Sequence, residues 1–161
     1  MATTFEAKHE NKIKNIICGN FGNPTCLVNP FEKNVVIIEL SSYQLLSIPS
    51  LQLDFGVITN ISNDHLDYHG TIEAYRDAKK RLFSRKELQW AIVNADDDAA
   101  VDMLSVAHPG VQCMGVSLKP DVVLASCQMI NLIKFESQLN GALIHVKTPW
   151  LSLIHISEPT R

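Results

Sequence analysis

The chain has no Gly-Lys dipeptide, and therefore no GxxxxGK[ST] loop to cradle phosphates. Any such loop is expected to lie outside this chain. No apolar run approaches the ~20 residues that a membrane-spanning helix needs. The opening residues, MATTFEAKHENK, lack the apolar core of a signal peptide. The 14 basic residues are scattered among 17 acidic ones, and a net charge of −3 gives no electrostatic footprint for nucleic acid or an anionic membrane. Cys18, Cys26, Cys113 and Cys127 form no CxxC pair. Reduced, partly buried thiols in a cytosolic protein are expected, rather than a disulfide or zinc site. Internal repeats and low-complexity linkers are absent as well. With 161 residues and 46% hydrophobic content, the chain can bury one ordinary core, so a single domain is expected.

What is present is a β-α-β-α alternation. Ile13 to Cys18, Val35 to Leu40, Phe55 to Ile61 and Trp90 to Asn94 read as strands, with Val111 to Val116 a weaker fifth. The middle runs are continuously apolar, which predicts parallel strands covered on both faces, with Phe55 and Trp90 packed in the core. Helices are predicted over about 41–48, 71–86 and 96–107. After Pro120, VVLASCQMI, LIKFES and ALIHVKT read as separate strands, and Leu139-Asn140-Gly141 is a hairpin signal. The expected fold class is α/β: a doubly wound, mostly parallel sheet with a small antiparallel β-sheet appended towards the C-terminus. Residues 152–161 fit no expected element. They look like translated adapter sequence, so the expected division is a domain over 1–151 and a non-native tail over 152–161.

Ligands of open α/β sheets bind beyond the carboxyl ends of the strands. Four polar loops leave such ends: Gly19-Asn20-Phe21-Gly22, Glu39-Leu40-Ser41-Ser42, Asn60 to His65, and Asn94-Ala95-Asp96-Asp97. Three residues stand out because the pattern calls for apolar ones. Glu39 ends an apolar strand, and a carboxylate suits a hard divalent cation. His65 follows a second apolar run, with Asp64, Asp67 and His69 close by. A zinc or manganese site is conceivable there, although Gly70 argues that His69 belongs to a loop. Lys79 projects from the stripe Ile72, Tyr75, Leu82, Phe83 of a helix opened by Gly70-Thr71. Burial lowers an amine's pKa, and a neutral amine can add carbon dioxide to become a metal-binding carbamate. Alternatively, Lys79 snorkels along the stripe edge. Ser42 and Asp96 read as helix N-caps, Asn94 shapes a turn, and the charges from Lys80 to Lys86 read as a solvated helix face.

The segments GNFGNP (19–24), IIELSSYQL (37–45), VITNISNDHLDYHGTIEAYRDAKKRLF (57–83) and VNADDD (93–98) resemble the central ATPase domain of a Mur ligase. Among Mur ligases, ELSSYQL is closest to the type that joins D-glutamate to UDP-N-acetylmuramoyl-L-alanine. The resemblance is strong from about Cys18 to Asp98 and weaker afterwards. It implies a bacterial cytoplasmic, ATP-dependent amide ligase of peptidoglycan precursor synthesis that works through an acyl phosphate with Mg2+. It also implies roles for the residues. Glu39 would bind Mg2+ between the ATP phosphates, while His65 and a carbamylated Lys79 would hold a second Mg2+. Asn20 and Asn94 would lie near the nucleotide, and Ser41 and Ser42 near the acyl end of the substrate.

The missing phosphate loop departs from the family. Domains for the uridine nucleotide and for D-glutamate should flank the segment, so a fragment with little activity alone is expected. Rival readings are a sibling Mur ligase, a folylpolyglutamate synthetase, a metal-dependent hydrolase using Asp64, His65, Asp67 and His69, and a non-catalytic α/β binding module.

Overall fold

A computed structural model describes residues 14–20, 22, 24–29, 34–62, 64–138, 141–150 and 154–159. It divides into two compact units, Met1–Ser47 and Ile48–Arg161.

In the first unit, β1 (Lys14–Gly19) and β2 (Asn34–Glu39) pair in parallel, with Gly19 opposite Glu39. Their close approach requires a glycine. Gly19 has φ +105°, and a Cβ there would collide with the Glu39 carbonyl. The helix α1 (Ser42–Ser47) follows β2. Ser41 starts it with a capping box: its hydroxyl accepts the Gln44 amide at 3.3 Å, and Gln44 Oε1 accepts the Ser41 amide at 2.9 Å. The cap is therefore Ser41 and not, as expected, Ser42, which is buried. Cys18 and Leu45 are buried too.

The second unit is built on a six-stranded sheet in the order β3-β4-β5-β6-β7-β8. Strands β3 (Phe55–Ile58), β4 (Trp90–Asn94), β5 (Gln112–Ser117) and β6 (Cys127–Gln138) are parallel. Strands β7 (Gly141–Lys147) and β8 (Ile154–Pro159) continue the same sheet antiparallel. The expected α/β class, mostly parallel with antiparallel strands towards the C-terminus, is what the chain adopts. Residues 139 and 140 of the hairpin signal lie outside the described residues, and Gln138 pairs with Gly141 across them.

Helices α2 (Leu66–His69) and α3 (Ile72–Lys80) connect β3 to β4, and α4 (Ala100–Leu104) connects β4 to β5. Thr71 caps α3, its hydroxyl accepting the Ala74 amide at 3.1 Å. The core lies between this connection and one face of β3 and β4. Tyr75, Ala78, Leu82 and Phe83 of the connection, Ile58 of β3, Ala91 and Val93 of β4, and Met103 of α4 are all buried. Gly56 fixes the spacing, since a Cβ there would come within 3.1 Å of the Phe83 ring and 3.2 Å of Leu82.

Several sequence expectations fail for identifiable reasons. Asn131, which falls between the expected separate strands VVLASCQMI and LIKFES, lies buried inside β6. Its amide donates to the carbonyls of Lys119 and Val122 at 3.1 and 2.9 Å, a satisfaction that no local pattern reveals. VVLASCQMI and LIKFES thus give one strand, with a bulge between Leu132 and Lys134. Residues 122–126 lie outside it. Strand β8 falls within residues 152–161, where no element was expected, because β7 offers its edge from Gly141 to Val146.

Coverage of β3 is one-sided. Phe55 and Val57 are exposed while Gly56 and Ile58 are buried, so Phe55 is not a core residue. Helix α3 ends at Lys80 rather than near 86. The charged run is a solvated face only in part, since Arg81 and Lys86 are exposed but Lys80 and Arg85 are not. Lys80 meets Asp102 of α4 at 2.6 Å, and Arg85 is buried. The Arg85 guanidinium donates to the carbonyls of Ile48, Pro49 and Leu51 at 3.0, 3.2 and 2.7 Å.

Removing Arg85 takes away a buried guanidinium and the partner of three carbonyls in a largely exposed loop. Arg85→Ala is expected to destabilise the chain by about 2–4 kcal/mol, against under about 0.5 kcal/mol for exposed Lys86→Ala. Urea unfolding checks both values.

Candidate functional site

The predicted site residues fall into two groups, one in each unit. In the first unit, Asn20 and Glu39 come together at the carboxyl ends of β1 and β2. The Asn20 backbone amide donates to the Glu39 carbonyl at 2.9 Å. The Asn20 side-chain amide reaches Glu39 Oε1 at 3.4 Å, and both side chains are exposed. This is a small acid–amide pair that faces solvent, one oxygen of which already has a donor. Ser41 is committed to its capping box, with its hydroxyl also 3.2 Å from Gln44 Oε1. Two of the seven residues of the discriminating ELSSYQL motif, Ser41 and Gln44, therefore have a local structural task.

In the second unit the organising residue is Tyr75, which sequence reasoning placed only in the apolar stripe. Its ring is 6% exposed. Lys79, one helical turn on, holds its Nζ 5.8 Å from the ring centroid. The His65 ring lies 6.2 Å away and the His69 ring 5.5 Å, edge-on. One aromatic side chain thus gathers the imidazole and the amine that the sequence singled out. Burial, followed by the nearby Asp64 carboxylate, pushes the Tyr75 phenol above its ordinary value. Desolvation and a like charge both disfavour the phenolate, so Tyr75 acts here as a neutral wall. The signal for Tyr75 was available, because it lies four residues before Lys79 on the same helical face.

His65 itself adopts φ +55°, ψ +28°, the left-handed region, as the N-cap of α2. A non-glycine residue there is uncommon and costs of order 1 kcal/mol or more, and such strain clusters at functional sites. Asp64 stabilises the turn: its Oδ1 accepts the His65 amide at 2.8 Å, and its Oδ2 lies 3.6 Å from His65 Nε2. His69, expected in a loop, is the last residue of the short helix α2. The loop reading fails because Gly70, at φ +76°, ends that helix after it rather than preventing it. Lys79 is half-buried, between full burial and free solvation. Among the described residues, no three His, Cys, Asp or Glu side chains converge as a ready metal cluster.

The third loop is a brace. Asn94 Oδ1 accepts the Asp96 amide at 3.0 Å, the turn-shaping role expected of it. Asp96 does not cap a helix. Its oxygens accept the Ser117 hydroxyl at 2.8 Å and the Leu118 amide at 2.7 Å, joining this loop to the end of β5. Asp97 ties it to the loop after β3, accepting the Ile61 amide at 2.7 Å and the Ala99 amide at 2.8 Å. Together they hold the carboxyl ends of β3, β4 and β5 in register. A pocket scarcely larger than a water molecule lies under this brace, lined by Ile58, Ile61, Val93, Asn94, Asp97, Ala100 and Met103.

Comparison with known proteins follows the same segments. A family model described as the Mur ligase middle domain matches residues 21–153. The chain is 38% identical over 99 residues to a UDP-N-acetylmuramoylalanine–D-glutamate ligase of Mycobacterium avium, covering 62% of this chain and 20% of that protein. It is 46% identical over 85 residues to a UDP-N-acetylmuramoyl-L-alanyl-D-glutamate–2,6-diaminopimelate ligase of Vibrio vulnificus, covering 52% and 17%. A solved 2,6-diaminopimelate ligase structure of the same description superposes with a TM-score of 0.66 at 26% identity, covering 79% of this chain and 26% of that one. The matched region spans about a fifth of each of these relatives' length.

The Leu118 amide, more than the Ser117 hydroxyl or Lys119, holds the Asp96 carboxyl below its ordinary value of 3.8. A depressed carboxyl stabilises the fold above its unfolded pKa, and that contribution is lost as pH falls through the folded value. Asp96→Asn is therefore expected to lower the urea midpoint near neutral pH, with the gap to the parent closing below about pH 4. Urea titrations across that range measure it.

Proposed function

The chain belongs to the Mur ligase middle domain family, and from that premise we propose that it is the ATP-handling segment of a bacterial cytoplasmic amide ligase of peptidoglycan precursor synthesis, of the type that adds D-glutamate. The carboxylate of UDP-N-acetylmuramoyl-L-alanine is activated as an acyl phosphate, and the amine of D-glutamate captures it with loss of phosphate. The observation that carries this reading is the gathering of His65 and Lys79 on the Tyr75 ring. An imidazole carried on a left-handed backbone and a half-buried amine thus share one neutral aromatic wall at the margin of the core.

The donor chemistry fits magnesium on one condition. Glu39 offers the hard oxygen that this cation takes. His65 supplies a nitrogen, a softer donor. Lys79 as an ammonium repels a cation and has no free electron pair, so it must first give one proton to water. The neutral amine then adds carbon dioxide, the N–C bond forming as one C–O π bond opens, and a second proton leaves to water. The resulting carbamate is anionic and oxygen-bearing. Glu39 would then hold one magnesium ion, and His65 with carbamylated Lys79 a second. Bound magnesium would neutralise the approaching anions and stabilise the developing oxyanion. Tyr75 positions the Lys79 chain, and its bulk keeps water from one side of it. Asn20 orients Glu39 and reaches towards phosphate, Asn94 shapes the loop on the nucleotide side, and Ser42 with Ser41 borders the acyl end. The phosphate-cradling loop and the domains for the uridine nucleotide and the amino acid belong, in this reading, to flanking polypeptide. Residues 152–161 remain in it a tail that is not native to the ligase.

A second reading, a ligase adding 2,6-diaminopimelate, is favoured by the 46% identity to the Vibrio vulnificus protein. Phosphate release by the complete ligase carrying this segment separates the two. D-glutamate with UDP-N-acetylmuramoyl-L-alanine is expected to support turnover; response only to diaminopimelate with the glutamyl precursor would reverse the assignment. In the same enzyme, Lys79→Arg retains the charge but cannot form a carbamate. It is expected to lower kcat by roughly 100-fold or more while leaving the fold intact by circular dichroism. Near-parental activity would remove the carbamate from the mechanism.

A further inference from the structure

Cys113 and Cys127 share no sequence motif, yet β5 and β6 pair them directly opposite one another. Neighbouring strands run roughly 4.8 Å apart, and disulfides bridge Cα separations of about 4.4–6.8 Å. The backbone therefore already holds the two within bridging range. Both thiols are free and half-buried, open in part to small solutes. They hydrogen-bond to each other, and burial, then the Cys113 neighbour, holds Cys127 protonated, pushed up to about 11. Cys127 is the first residue of β6. It follows Ser126, which takes φ +65°, and its amide is held by Leu124 in a tight turn. A strand end entered through such a turn yields more readily than a mid-strand position.

We propose that Cys113 and Cys127 form a peroxide-oxidisable pair that closes into a reversible cross-strand disulfide. The Cys113 sulfur attacks a hydroperoxide, forming an S–O bond as the O–O bond breaks. The thiol proton leaves with the departing alcohol or water. The Cys127 sulfur then attacks the resulting sulfenic sulfur, the S–S bond forms, and the hydroxyl departs as water with the Cys127 proton. Two electrons pass from the sulfurs to one peroxide. A directly opposed pair must draw its Cβ atoms together to close, so the bridge is strained and small thiols reopen it. Both cysteines lie at the amino ends of their strands, whereas the Asp96–Ser117 brace lies at the carboxyl end. The bridge therefore staples the sheet on the edge opposite that brace.

Peroxide treatment of the folded chain, followed by alkylation and peptide mapping, tests this. A linked peptide joining Cys113 to Cys127 is expected. It should be absent from Cys113→Ser and Cys127→Ser and reversed by excess glutathione. Separate alkylation of both cysteines after peroxide, or their recovery as sulfinic acids, overturns the proposal. Should the serine variants not fold, Cys18→Ala/Cys26→Ser retains the pair alone. Loss of both its thiols with a fall in monomer mass of two hydrogens and no dimer supports the bridge, and persistence of two thiols or a gain of oxygen mass overturns it.

Discussion

Close packing of Phe83 and Leu82 on Gly56 sets the geometry of residues 48–161. No side chain at Gly56 means that the end of the β3–β4 connection descends onto the strand until aromatic carbons stand where a Cβ would be. Interiors packed at crystalline density transmit such a constraint. With Phe83 seated, Tyr75 and Ala78 of α3 are held against the same core and Lys79 is placed at its margin. Two polar ties then secure the elements around it: Lys80 to Asp102 on α4, and Arg85 to the 48–51 carbonyls. Both are half-buried or buried, where a charged hydrogen bond contributes more than on an open surface.

The carboxyl edge of the sheet is held by side chains rather than by its strands. Asp97 reaches back to Ile61 and Asp96 across to Ser117 and Leu118, so adjacent acids brace in different directions. Each carboxylate accepts backbone amides that a loop would otherwise leave unsatisfied. This arrangement explains why an acidic run beside a proposed nucleotide site need not touch metal. It also frees the site's chemistry to rest on the loop after β3 and on α3, where His65, Tyr75 and Lys79 meet. In the other unit, Glu39 and Asn20 are brought together by Gly19, again because a missing Cβ lets two backbones approach.

Much of this was legible from residue order. Continuous β-branched runs located β1 to β5 to within a residue or two at most ends, and Thr71 marked the start of α3. Glu39, His65 and Lys79 stood out as polar residues at apolar positions. Other features were hidden because their cause is non-local. Asn131 looks like a break between two strands until its amide is seen satisfying Lys119 and Val122. Arg85 looks solvated until the 48–51 carbonyls surround it. Ser41 and Ser42 are equivalent as caps until the reach of the Gln44 side chain distinguishes them. Tyr75 lay in the expected stripe, but periodicity gives a face and not the neighbours on it.

By itself, then, the sequence determined the class of sheet, the order of its elements and the three unusual polar residues, because hydrophobic period and chain stiffness act over a few residues. Only the tertiary structure decided which groups share a surface: two histidines and an amine on one tyrosine, two acids bracing separate loops, two thiols across a strand pair. Those meetings depend on packing between segments tens of residues apart, and no local rule encodes the distance.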